Sequence, residues 1–363
     1  MRLPRIKNVH NPTVLPGNRI IMGLMQYGVA AEVQDDDAGS IERILTLMDG
    51  TRDLDGICAG VAETHPNLDP ESVREAVDEF VAGGFVEDAA APLPEGFTER
   101  DAARYETPRH FYSWIDTTPR SSPFEIQARL KNSSVALLGL GGTGTSVAAG
   151  LVASGVGTLH CADFDEVEEA NLCRQLLYTE HDIGAPKVKR AVDRLRASNS
   201  TVTVTGEDLR VTGPDDIADL MTGRDVFVLC ADTPQTVIMR WTNEAALRTN
   251  TPWYYALYTG PMAVTGGFVP GSTGCWECMH SEYLELEYAR DGRRIFPDAR
   301  KHAVVAATAN VTGHLCALEV IYHLGGLPTQ VQGRVLHWNY ARWDHQYFID
   351  VPRRPDCPAC STP

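Results

Sequence analysis

Four glycines within six residues, Gly139-Leu140-Gly141-Gly142-Thr143-Gly144, constrain this chain more than any other stretch. An apolar run at 135–139 precedes them and reads as a buried strand, while 145–154 has helical patterning. A strand, a glycine turn and a helix start let backbone approach a phosphate closely and offer it free N–H groups. The next apolar run, 159–163, ends in Asp163, which lies 19 residues beyond Gly144. An acid at that place accepts hydrogen bonds from ribose hydroxyls. Segments 187–197, 202–205, 226–230 and 236–248 continue the alternation of helix and strand. The fold class is therefore α/β: a doubly wound, largely parallel, Rossmann-like sheet. Taken alone, these features say nucleotide, with NAD as the default.

The residues that follow point away from NAD. Asp163-Phe164-Asp165 leads into Asn171-Leu172-Cys173-Arg174-Gln175, and then into Asp182-Ile183-Gly184-Ala185-Pro186-Lys187. An arginine and a lysine close behind the ribose acid suit a triphosphate, whose charge must be offset before a carboxylate attacks it. The strand at 226–230 leads to Asp232, and a carboxylate at the end of a sheet strand can hold Mg²⁺. This ordered set resembles the ubiquitin-activating-enzyme-like adenylyltransferase family that includes ThiF and MoeB, over residues 126–363. The resemblance implies ATP as cofactor and attack by a substrate carboxylate on the α-phosphate, giving an acyl-adenylate and pyrophosphate. It implies a nucleotide site built from Gly139, Gly141, Gly142, Gly144, Asp163, Asp165, Asn171, Arg174, Gln175, Lys187 and Asp232. Within it, Asp163 would bind ribose, Asn171, Arg174 and Lys187 the phosphates, and Asp232 Mg²⁺. Arg174, Lys187 and Asp232 are the catalytic candidates. The family also uses an upstream arginine donated by the second subunit of a homodimer. Arg109 is the nearest match, although its spacing from Arg104-Tyr105 departs from the family's RYxRQ pattern.

Cys275-Trp276-Glu277-Cys278 and Cys357-Pro358-Ala359-Cys360 are two CxxC hooks. Two such hooks close a tetrahedral Cys₄ site for structural zinc, Zn²⁺. The total of nine cysteines is odd, which argues against a disulfide framework. Some family members pass the activated group to a cysteine in the loop after the first hook. Residues 279–303 contain none, which favours direct attack by another nucleophile over a thioester or sulfur relay; Cys173, beside Arg174, is the remaining candidate for such a relay. The same loop holds Arg290, Arg293, Arg294, Arg300 and Lys301, flanked by His280 and His302. It reads either as a holder of an anionic substrate or as a solvated loop, and no histidine receives a catalytic role.

Residues 1–90 read as a small separate domain. A glycine-containing hairpin at 20–33 precedes helices at 40–48, 54–61 and 70–82, with a short strand at 85–87. That order suggests a winged helix. DNA is excluded, because 69–88 has Arg74 as its single basic residue and the whole chain carries a net charge of −16. Residues 45–51 and 73–88 resemble the PqqD-like, leader-peptide recognition domain of enzymes that modify ribosomal peptides, where an extended peptide adds a strand. Residues 91–125, holding Pro92, Pro94, Pro108, Pro119 and Pro123, read as a linker or arm. Residues 126–363 form the adenylation domain. The combined expectation is an enzyme that adenylates a carboxylate or amide of a ribosomal precursor peptide. The alternatives are adenylation of the C-terminal Gly-Gly of a ubiquitin-like sulfur carrier, and a non-catalytic peptide-presenting subunit. No apolar run approaches the ~20 residues that span a bilayer, so a cytoplasmic protein without membrane or nucleic-acid partners is expected.

Overall fold

The chain divides into two compact units, Met1–Arg129 and Leu130–Pro363, in a computed structural model that describes residues 1–24, 29–235, 237–280 and 303–361. The first unit begins with β1 (Pro4–Ile6), β2 (Thr13–Leu15), β3 (Arg19–Met22) and β4 (Ala31–Gln34). Helices α1 (Ser40–Leu47), α2 (Leu54–Ala62) and α3 (Pro70–Ala82) follow, and then β5 (Val86–Asp88). β2, β3 and β4 form an antiparallel sheet, and β1 pairs with β5. The helix starts are fixed by side chains that satisfy otherwise unpaired N–H groups: Asp53 accepts from Gly56, and Asp69 accepts from Glu71 ahead of Pro70. Ile44, Ile57, Val61, Val73, Val77 and Phe80, spaced by helical periodicity, bury together with Ile20 and Met22. The order of hairpin, three helices and strand is the one the sequence pattern suggests.

The expected linker at 91–125 is different in kind. It contains α4 (Glu99–Arg104) and α5 (Glu106–Ile115). A reciprocal capping box between Thr98 and Asp101 starts α4. Pro108 sits in the first turn of α5, where its missing N–H has no partner to lose. Tyr105 and Tyr112 are buried, so proline content alone misjudged this stretch.

Helix α6 (Glu125–Lys131) leads into the second unit. There the order is β6 (Ser134–Leu138), α7 (Gly142–Ala153), β7 (Thr158–Asp163), α8 (Lys187–Ser198), β8 (Thr203–Asp208), α9 (Pro214–Met221), β9 (Val226–Leu229), α10 (Ile238–Thr249) and β10 (Trp253–Thr259). β11 (Met262–Phe268), α11 (Ala306–Gly325), β12 (Arg334–Asn339) and β13 (Gln346–Asp350) complete it. One eight-stranded sheet runs β13-β12-β11-β10-β9-β6-β7-β8. The five strands from β10 through β9, β6 and β7 to β8 are parallel, and β11, β12 and β13 add an antiparallel edge. β9 is buried at every position, as expected of a parallel strand covered on both faces. The strand order reverses at β6, between β7 and β9, and the crevice at the carboxyl ends of such strands is where α/β sheets bind ligands. No helix among the described residues is long and apolar enough to cross a membrane.

Helices α7 and α11 pack closely through small residues. A Cβ at Gly313 of α11 would lie 2.4 Å from the carbonyl oxygen of Thr143 and 2.7 Å from the Ser146 Cβ. Alanine is the better helix former by about 1 kcal/mol, but that gain is smaller than the cost of forcing two backbones apart. Gly313→Ala is therefore expected to lower stability by about 1–3 kcal/mol, read as an earlier midpoint in urea unfolding.

Candidate nucleotide site

The turn after β6 adopts a shape that only glycine allows. Gly139 has φ +97°, and a Cβ there would lie 2.5 Å from the backbone nitrogen of Ala231. A Cβ at Gly144 would fall 1.9 Å from the Gly139 carbonyl oxygen. The glycines thus let the loop fold under the end of β9 and let α7 begin at Gly142, three residues earlier than the sequence pattern indicates. The residue preceding the helix, Gly141, has no side chain to cap it, so it offers the first-turn N–H groups no side-chain acceptor of its own. The Tyr178 hydroxyl donates to the Leu140 carbonyl at 3.1 Å and fixes the loop from below.

Asp163 ends β7 and is buried. Its two oxygens accept separate backbone N–H groups, from Leu140 at 2.6 Å and from Asp165 at 2.8 Å. Burial pushes the carboxyl above the ordinary range, and the nearby positive charge of Lys187 opposes that shift. Lys187, at the start of α8, is 5% exposed and places Nζ 2.9 Å from Asp165 Oδ2.

Eight of the residues singled out from sequence line one cavity of about 540 Å³: Gly141, Gly142, Asp165, Asn171, Arg174, Gln175, Lys187 and Asp232. A smaller cavity of about 120 Å³ shares Gly141, Asp165, Lys187 and Asp232 with it, adds Gly139 and Asp163, and has apolar walls of Leu138, Phe164, Leu209 and Val211. A polar chamber beside an apolar one that holds a ribose-type acid matches the parts of a nucleotide. Two buried atoms among the lining residues, Arg174 Nε and Gln175 Oε1, have no hydrogen-bond partner among the described residues. Such orphaned groups call for a polar ligand. Arg174 Nη1 donates to the Ala170 carbonyl at 2.8 Å. Asn171 Oδ1 accepts the Glu168 N–H at 3.1 Å, so part of that amide serves the local turn. Gly144 does not line the cavity; its place is the packing contact described above.

Sequence patterning passed over two contributors. Tyr258, at the end of β10, lines the cavity and hydrogen-bonds Arg174, and burial raises its phenol. Asn310 of α11 donates to the Arg174 carbonyl at 3.3 Å and accepts from the Ser146 hydroxyl. Neither belongs to a local motif; each reaches the site only through tertiary packing.

Arg109 lies in the first unit, where it is 7% exposed and ion-paired to Glu87 at 3.0 Å and Glu106 at 2.7 Å. The four hook cysteines converge. Sγ separations are 3.9 Å for Cys275–Cys278, 3.7 Å for Cys275–Cys357 and 3.5 Å for Cys278–Cys360, and all four atoms lie within 4.8 Å of one another. Tetrahedral zinc with bonds of about 2.3 Å needs sulfurs about 3.8 Å apart, so the donor set and spacing fit it. His302, Arg290, Arg293, Arg294, Arg300 and Lys301 lie outside the described residues.

The family model that matches this chain is the ThiF family, over residues 117–359. The chain belongs to the ThiF family. Its ThiF-family relatives include the sulfur carrier protein ThiS adenylyltransferase of Escherichia coli K12, 32% identical over 64% of this chain and 88% of that protein. The sulfur carrier protein adenylyltransferase of Thermus thermophilus is 31% identical over 67% of this chain and 87% of that protein. The chain is an ATP-dependent adenylyltransferase by this membership. In fold, it is similar over its whole length to E. coli MccB, solved with MccA-N7isoASN: TM-score 0.78, 23% identity, 100% of both chains covered.

Asp163 uses both oxygens as acceptors, so an amide cannot replace it. In Asp163→Asn the amide NH₂ faces a backbone N–H, and a loss of about 1–3 kcal/mol of stability is expected, measured by chemical denaturation without nucleotide.

Proposed function

We propose that this ThiF-family enzyme adenylates a carboxylate, or an amide, of a ribosomally made precursor peptide during natural-product modification. One observation carries the choice of acceptor. The similarity to MccB covers the whole chain, whereas the family model begins at residue 117 and the sulfur-carrier relatives match about two thirds of it. MccB is described as a microcin C7 biosynthetic enzyme and was solved in complex with N-formylated MccA. In this reading the first unit, with its β2-β3-β4 sheet and three helices, is a winged-helix peptide-recognition domain that accepts an extended strand. Holding the peptide there raises its concentration at the nucleotide site.

The site residues divide the work. Asp163 accepts from ribose hydroxyls. The α7 N-terminus, Arg174, Gln175, Asn171 and Lys187 bind the triphosphate, and the two cations offset its charge. Asp232 would hold Mg²⁺, which supplies further positive charge on the phosphates when bound. A substrate carboxylate oxygen then forms a bond to the α-phosphorus while the bond to the pyrophosphate oxygen breaks, giving acyl-adenylate and pyrophosphate. Arg109 is already committed to Glu87 and Glu106, so we assign it to the charge network of its own unit and leave the expected homodimer to rest on family resemblance. Structural zinc would bind Cys275, Cys278, Cys357 and Cys360. The relatives' names favour a second reading, a sulfur carrier ending in Gly-Gly as acceptor.

ATP–pyrophosphate exchange decides between the two. Exchange that depends on a short peptide encoded beside the gene supports the first reading; exchange that depends only on a Gly-Gly-ended carrier replaces it with the second. With the active acceptor, Arg174→Ala and Asp232→Ala should each lower the exchange rate by roughly 10²–10³-fold. The purified protein should contain one zinc per chain by atomic emission, and Cys357→Ser should lose it. A metal content unchanged by that substitution would overturn the zinc assignment.

A further inference from the structure

Arg210 takes no part in the motifs that define the site. It follows β8 as an exposed residue between Leu209 and Val211, which both line the smaller cavity. Its guanidinium carbon lies 3.7 Å from the centroid of the Phe164 ring. Phe164 immediately follows Asp163 and lines that same cavity with Leu138. Among the described residues no carboxylate pairs with the Arg210 guanidinium, so packing on this ring is the work its charge does. A cation over an aromatic face is attracted by the ring's quadrupole, and a planar guanidinium covers more of the face than an ammonium does. A half-buried phenylalanine at a strand end would otherwise have room to change rotamer.

We propose that Arg210 is a positioning residue for the nucleobase of ATP: by stacking on Phe164 it holds that ring in place as one wall of the apolar cavity. The inference rests on the nucleotide reading of the two cavities. Arg210 flanks the apolar cavity and is absent from the lining of the polar one that holds Arg174 and Asp232, so it acts on binding and not on the chemical step. It also acts through Phe164, which makes the two residues energetically coupled.

Calorimetric titration of the full-length protein with Mg²⁺–ATP tests this. Arg210→Ala should raise Kd about two- to five-fold, and Arg210→Lys should fall between, since it keeps the charge and loses the plane. In the exchange assay KM for ATP should rise in parallel while kcat holds. In a Phe164→Leu background, Arg210→Ala should cost less than it does alone, because the ring it acts on is gone. An unchanged Kd in Arg210→Ala, an equal penalty in both backgrounds, or a fall in kcat at constant KM would each overturn the proposal. If Phe164→Leu fails to fold, the Ala and Lys variants of Arg210 still decide it. Failure of the unaltered protein to bind ATP would overturn the nucleotide reading as well; binding by the unaltered protein with unchanged variants would overturn this inference alone.

Discussion

The backbone of the turn after β6 passes against the backbone at the end of β9, with Gly139 at the crossing and Ala231 beneath it. The shape of the candidate nucleotide site depends on that approach. β6 and β9 are neighbours because the sheet reverses its strand order there, and each strand delivers a different part of the cavity lining at its carboxyl end. β6 delivers the glycine loop and the start of α7, while β9 delivers Asp232. A side chain at position 139 would separate the two and widen the space between the start of α7 and Asp232. The glycines are therefore not general flexibility; they set a distance between two strands.

Charge is concentrated in that crevice at a cost. Asp163 is buried with its carboxyl pushed toward the neutral form, and Lys187 is almost fully enclosed. A packed apolar site would be cheaper, and buried charges of this kind are expected where a ligand binds. Two backbone donors on Asp163 and the carboxylate of Asp165 on Lys187 keep both groups oriented before a ligand arrives. The net charge of −16 carries little weight here, since exposed charges more than about 10 Å away are screened. Buried local charges dominate the chamber.

The legible parts of this protein were those written in contiguous residues. The glycine loop, the Asp163-Phe164-Asp165 and Asn171-Leu172-Cys173-Arg174-Gln175 runs, Lys187 and Asp232 give both the sheet class and eight of the residues lining the larger cavity, because a strand, a turn and a helix are local events. The tight pairs of cysteines were legible for the same reason, although 82 residues separate the pairs themselves. Tyr258 and Asn310 were not legible. An aromatic in a strand reads as core and an asparagine in a helix reads as surface, until α11 packs on α7 and β10 follows β9. The helices at 99–104 and 106–115 were missed because the prolines in the stretch counted against helix, whereas a capping box starts the first and Pro108 occupies a harmless first-turn position in the second.

The two hooks tie the site's periphery to its core. Cys275 and Cys278 follow β11, and Cys357 and Cys360 follow β13, so a metal there would close a loop that contains α11, β12 and β13. Closing a loop of that size removes about 4–5 kcal/mol of unfolded-chain entropy in the chain-entropy model. The enclosed helix α11 is the one that packs on α7 through Gly313 and carries Asn310 to the Arg174 carbonyl. The first turn of α7 is thus packed against a helix that lies within the loop a metal at the cysteine hooks would close. A metal bound at the hooks would therefore restrain α11 without contributing a single residue to the lining of either cavity.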